Sequence, residues 1–363
     1  AANGGGMYNY SSSSPTVTNC TFSGNTATDT GGGMHNTEGS TPTVANCTFT
    51  GNTAAGSGGG GMYNAGTGTS TVTGCTFSEN SVTNSGGGVF NVGRTSSFVN
   101  CTFANNSAGE GGGVCSSGAT TSLVNCTLAG NTATNGKGLH NMGGTVTATN
   151  CILWNVSDGE ISTGGVHTTT VTYSVVQGGY AGTGNVPTDP NLGAPADNGG
   201  TTKTCAISAA SSAVNAGTAT GAPATDQRGV SRPQGAGVDI GAYEYTFGKL
   251  LSITVSGDGT VSRNPAGTTL TPDTTWEYTA GTAVTLSADA VNPWYFAEWS
   301  GDASGTNPVT AVTMSEDKHV TARFARKWTI VASADANGII APAGNVFVLP
   351  GADQTFTVTP DSG

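Results

Sequence analysis

The chain has 363 residues, of which only 9% are charged, with 58 glycines and a formal charge of −11. That acidic balance, on 11 Lys and Arg, argues against nucleic acid and against anionic membrane surfaces as partners. No stretch approaches the roughly 20 apolar residues of a membrane span, and the chain is too long for one small core.

Ala1 reads as a processed or cut start that opens in the middle of a coil. From there Asn-Cys-Thr-Phe, or a close variant, recurs six times. Its cysteines are Cys20, Cys47, Cys75, Cys101, Cys126 and Cys151, separated by 27, 28, 26, 25 and 25 residues. A glycine triplet before a bulky residue runs in step, at Met7, Met34, Met62, Val89 and Val114, with Leu139 behind a degraded Gly-Lys-Gly. A fixed period in this range means stacked units that bury apolar surface against their neighbours. Gly, Thr, Asn and Ser are poor helix formers, and Thr16-Val17-Thr18 and Cys20-Thr21-Phe22 alternate with strand period.

Superposed on their cysteines, the copies show inward tracks. Val17, Val44, Val72, Phe98, Leu123 and Ala148 stand three before Cys; Phe22, Phe49, Phe77, Phe103, Leu128 and Leu153 stand two after. Asn19, Asn46, Asn100, Asn125 and Asn150, with Asn25, Asn52, Asn80, Asn106 and Asn131, sit at corners. There the side chain tolerates a left-handed bend and can bond to the coil above or below. The expected fold is all-β: a right-handed, single-stranded parallel β-helix of about six to seven coils over residues 1–180, its copies about 4.8 Å apart. The cysteine column reads as buried thiols, because parallel Cβ vectors suit a disulfide badly. Cys115, in an outward slot, and Cys205 stand outside that column, and the spacing does not fix their redox state.

Two outward rows draw attention. Tyr8, His35, Tyr63, Phe90, Cys115 and His140 follow the bulky residue and form a stripe of rings, a candidate face for binding or assembly unless loops cover it. His35 and His140 lie four coils apart, roughly 19 Å, too far to share a metal. Thr21, Thr48, Thr76, Thr102 and Thr127 form a hydroxyl row that Ile152 breaks; such a row could order ice, yet stacked threonines are common wherever strands repeat. The acids of this region, Asp29, Glu38, Glu79, Glu110, Asp158 and Glu160, fall at different phases, and none is placed like a catalytic pair. No catalytic or metal-binding residue and no cofactor is expected.

Residues 181–246 are turn-rich and end in Asp226-Gln-Arg-Gly-Val-Ser-Arg-Pro and Val238-Asp-Ile-Gly-Ala-Tyr-Glu. With Asp189-Pro190 and Ala213-Val-Asn-Ala-Gly217, these motifs resemble the terminal segment of bacterial surface β-helix proteins of the choice-of-anchor class. The upstream Gly-Gly-apolar-x-Asn and Phe-x-x-Asn motifs are similar to repeats of the polymorphic outer-membrane protein family. The resemblance implies secretion and attachment to a bacterial cell surface. Physically the segment reads as a lid over the open end of the helix. Asp226, Asp239, Glu244, Arg228 and Arg232 would hold it by ion pairs, the sharper alternative being a cation site on the three acids.

Residues 247–327 carry Gly257-Asp-Gly-Thr-Val261, Ala280-Gly-Thr-Ala-Val-Thr-Leu286, Phe296-Ala-Glu-Trp-Ser-Gly301 and Val320-Thr-Ala-Arg-Phe324. These resemble the internalin B-type bacterial repeat, a small β module used as a stalk or spacer. Residues 328–363 begin a second copy that stops short. The expected function is an extracellular structural or adhesive surface protein. Its partner would be itself, joined head to tail through strand edges at both ends, or glycans of the cell surface or matrix. The competing class is a carbohydrate-binding or polysaccharide-active β-helix.

Overall fold

A computed structural model describes residues 1–155, 157, 159–270 and 274–362; Asp158 lies outside the described residues. Two compact units, Ala1–Tyr245 and Thr246–Gly363, make up the chain.

The first unit is a parallel β-solenoid. Three sheets each hold seven parallel strands, one per coil. Sheet A runs from Met7–Asn9 to Ile161–Thr163, sheet B from Thr16–Thr18 to His167–Thr172, and sheet C from Thr21–Ser23 to Val175–Val176. The register repeats residue for residue: Met7 faces Met34, Val17 faces Val44 and Phe22 faces Phe49. A fourth sheet, whose strands carry Ala27, Ala54 and Val82, spans three coils and then thins to single bridges at Ser107 and Thr132.

The core follows from that register. Phe22, Phe49, Phe77 and Phe103 stack with ring centroids 4.6, 4.7 and 5.0 Å apart and planes within 7°, inside the range favoured by offset stacks. The cysteines are free thiols. Each buried one from Cys47 to Cys151 donates to the carbonyl two residues before it and to a carbonyl of the coil below. Cys115 and Cys205 are also free and buried, so the outward slot expected for Cys115 is covered. Burial drives both thiols up to about 12.

The two asparagine sets divide the labour. Asn19, Asn46, Asn100, Asn125 and Asn150 adopt φ near +50° and turn the corner between sheets B and C. The other set forms a hydrogen-bonded ladder. Asn52 Oδ1 accepts both the backbone N–H and the Nδ2 of Asn25, while Asn52 Nδ2 donates to the Phe22 carbonyl. The pattern climbs through Asn80, Asn106 and Asn131 to Asn155. There Glu160 ends it by accepting from the Asn155 backbone and amide. The glycine triplet has a steric cause. A Cβ on Gly61 would sit 2.6 Å from the Gly88 carbonyl oxygen and 3.0 Å from the Phe77 ring.

The turn-rich segment does not lie where a lid would. Tyr180 packs against the end of the core, and Val186 pairs with Val175 beside it. The following residues run back along the outer face of sheet C. Thr202 Oγ1 donates to the Gly74 carbonyl, Asn100 Nδ2 to Thr225, Asn125 Nδ2 to Asp239 and Asn150 Nδ2 to Thr218. This strap buries Thr76, Thr102 and Thr127, so the expected flat hydroxyl row is covered over those coils. Ile152 breaks the row because, with Val175 of the next coil, it is the sheet's contribution to a second apolar cluster with Ile207, Ala213 and Ile240 of the strap.

The second unit holds a five-stranded and a three-stranded sheet over Lys249–Arg326. They enclose Leu251, Trp276, Leu286, Trp299, Val320 and Phe324. Residues 328–360 add two two-stranded antiparallel sheets.

Candidate functional site

The ring stripe forms a continuous column. Tyr8, His35, Tyr63, Phe90, Cys115 and His140 face one another in register, and the centroids of Tyr8–His35 and His35–Tyr63 are each 4.9 Å apart. It is not an open face. His35, Phe90 and His140 are buried, Tyr63 is half-buried and Tyr8 alone is exposed. The segments entering each glycine triplet cover the column. Gly58 lies so close over Phe90 that a Cβ there would overlap the ring, and Thr30 Oγ1 is 2.8 Å from His35 Nδ1. Burial pulls the His35 imidazole down to about 4. The stripe therefore packs, and of the two alternatives the sequence left open the covered one is found.

The charged cluster lies inside the strap. Arg228 pairs with Asp226 at 2.7 Å and Arg232 with Glu244 at 2.6 Å, all four side chains nearly or fully buried. Asp226 also accepts the backbone N–H groups of Arg228, Val230 and Glu244. Glu244 accepts those of Gln234 and Asp239, and Asp239 those of Asn215 and Tyr245. Arg228 lies over the Tyr243 ring at 3.5 Å. The carboxylate oxygens are thus spent on the strap's own turns, which is the arrangement of a clamp and leaves little for a bound cation. Among the described residues no group of three or more His, Cys, Asp and Glu is placed to hold a metal ion. Burial raises Asp239 to about 6 against the pull of its backbone donors.

Gln227, which no sequence signal marked, ties the clamp to the solenoid. Its Nε2 donates to Thr76 and Thr202 Oγ1, both at 2.9 Å, and its Oε1 accepts from Thr102 at 2.7 Å. Where the strap lifts from sheet C, a groove of about 520 Å³ opens. Thr50, Ser78 and Glu79 line its sheet side, Asp197 and Lys203 its strap side. A neighbouring recess of about 360 Å³ shares Asn105, Ala194 and Pro195 with it and reaches Trp154.

Known families agree with this architecture in two places. Residues 1–133 match the family described as a right handed beta helix region. Residues 251–327 match the divergent InlB B-repeat domain. The chain joins a right-handed β-helix to an InlB-type repeat. No curated protein and no solved structure matches it. InlB-like repeats are typical of bacterial surface proteins, and the two families together fit a surface or adhesive protein. Among the described residues no helix is long and apolar enough to cross a membrane.

Proposed function

We propose that the chain is an extracellular structural and adhesive protein of a bacterial surface, with the solenoid as the presented body and the InlB-type repeats as its spacer. The observation that carries this reading is the pairing of an InlB-type repeat with a solenoid whose inward positions are filled by packing ladders. The resemblance of Asp226–Tyr245 to choice-of-anchor surface proteins supports the same placement. Antibodies against residues 1–245 are expected to label intact cells of the source bacterium. Labelling that appears only after lysis would overturn the proposal.

The same reading extends to association between copies. The strands Trp328–Ala332 and Thr357–Pro360 each pair on one side among the described residues, and Trp328, Val331, Ile339 and Val358 are more than 60% exposed. Unpaired edges beside exposed apolar side chains template strand addition. Light scattering and negative-stain microscopy at rising concentration should show end-to-end oligomers; discrete single particles throughout would reject this part.

A further inference from the structure

The corner after sheet C repeats in five successive coils with its backbone in the left-handed region. Its occupants are Gly24, Gly51, Glu79, Asn105 and Gly130, each donating its N–H to the coil above. Glycine takes this conformation freely, whereas a residue with a Cβ is strained there. The two departures from glycine, Glu79 at φ 57° and Asn105 at φ 57°, are the two corners that line the groove. Asparagine tolerates the conformation; glutamate has no such excuse. Strain of this kind, held beside a cleft, points to a function for the side chain.

The groove itself has a graded chemistry. The outward row one residue before this corner reads Thr50, Ser78, Ala104, Ala129 and Trp154 in strict register. One end offers hydroxyls, two carboxylates and the Lys203 ammonium. The middle is lined by Ala129, Ala194 and Pro195, Ala104 being fully buried, and the far end, in the neighbouring recess, presents the half-buried Trp154 ring, which also packs against the strap's apolar cluster. Four coil steps separate Thr50 from Trp154, about 19 Å at sheet spacing. An elongated cleft with polar groups at one end and an indole at the other matches a ligand that is hydroxyl-rich at its edges and apolar on its flat faces.

We infer that this groove binds a linear oligosaccharide, with Glu79, Asp197 and Lys203 taking ring hydroxyls and Trp154 stacking on a terminal ring. The ligand is uncharged, because two carboxylates against one ammonium, on a chain of formal charge −11, repel uronates and sulfated sugars. This rests on the adhesive reading above and names its ligand class. The test uses purified full-length chain and so fails or succeeds independently of where the protein resides.

The chain is applied to an array of neutral gluco-, manno-, galacto- and N-acetylglucosamine oligosaccharides, with uronate and sulfated polymers as controls. Retained sugars are then titrated calorimetrically against wild type, E79G and W154A. Expected are retention of neutral chains over the charged controls and at least a ten-fold loss of affinity in both variants. E79G should melt at or above the wild-type temperature, since glycine relieves the corner, so its loss of binding cannot be laid to misfolding. No neutral sugar retained at millimolar concentration, a preference for the anionic polymers, or an affinity unchanged by E79G would each overturn the inference, whatever W154A does.

Discussion

Replacing one side chain in the asparagine ladder separates hydrogen bonding from packing. In N80A the backbone N–H and the amide of Asn52 lose their acceptor, and the Phe49 carbonyl loses its donor, all in the dry interior. Leaving buried polar groups unpaired costs about 1–3 kcal/mol each at the strong end, so N80A should lower stability by roughly 3 kcal/mol, read as a fall in the urea midpoint. F77L should cost far less, because Leu128 and Leu153 already occupy that row in later coils. Two titrating groups carry opposite signs. His35 is held near 4, below its ordinary 6.5, so the stability it contributes is present above 6.5 and is lost as pH falls towards 4. Asp239 is held near 6, above its ordinary 3.8, so its contribution is present below 3.8 and is lost as pH rises through 6. Between pH 6.5 and 4 the two oppose each other. Melting temperatures across that window should show H35F gaining on the wild type as pH falls, and D239N losing ground to it. Parallel curves for all three proteins would refute both assignments.

At the scale of elements, the strap is the part that sequence reading placed wrongly. The solenoid was legible because every coil repeats the same residue type at the same phase, so period, inward tracks and corners could be read by superposing copies. Residues 190–245 have no period, and their partners are single side chains far away in sequence, such as Thr76 with Gln227. One local signal did exist. Ile152 stands where five other coils place threonine, and an apolar residue in an outward row means that something covers it. The covering of the ring stripe stood only as one of two alternatives for a related reason: the residues that cover it are glycines and small polar residues, which carry no apolar signature. Gln227 bridges strap and sheet: of its five side-chain hydrogen bonds, three reach Thr76, Thr102 and the Cys75 carbonyl on the coils and two hold Thr202 and the Lys203 carbonyl of the strap. Q227A should therefore loosen the strap and spare the solenoid core. Hydrogen exchange should rise over residues 198–245 in the variant and stay at wild-type levels over the strands of sheets A and B. Equal loss of protection everywhere would mean that the strap is part of one cooperative unit with the coils.

For the whole molecule the question is how many cooperative units the chain contains. Each apolar cluster draws its residues from one compact unit: the solenoid column and the strap cluster from residues 1–245, the module cluster from 251–324. Hydrophobic burial is the dominant stabilising force, so separate clusters set separate transitions. Calorimetry of the full chain is expected to resolve two. F77A empties a fully buried site in the phenylalanine column and should cost about 3–5 kcal/mol there, moving one transition down and leaving the other in place. W299A should do the reverse, since Trp299 is buried in the module core and donates from its indole to the Asn307 carbonyl at 2.9 Å. Salt should distinguish the units less than mutation does. The ion pairs of the module, Lys318 with Asp302 and Glu316 and Arg323 with Glu298, have at least one exposed partner each and contribute little. Those of the strap are buried and poorly screened. Both transitions should consequently shift by only a few degrees between low and high salt. A single transition lowered by both substitutions would show that the chain melts as one body and that separate clusters do not mean separate units here.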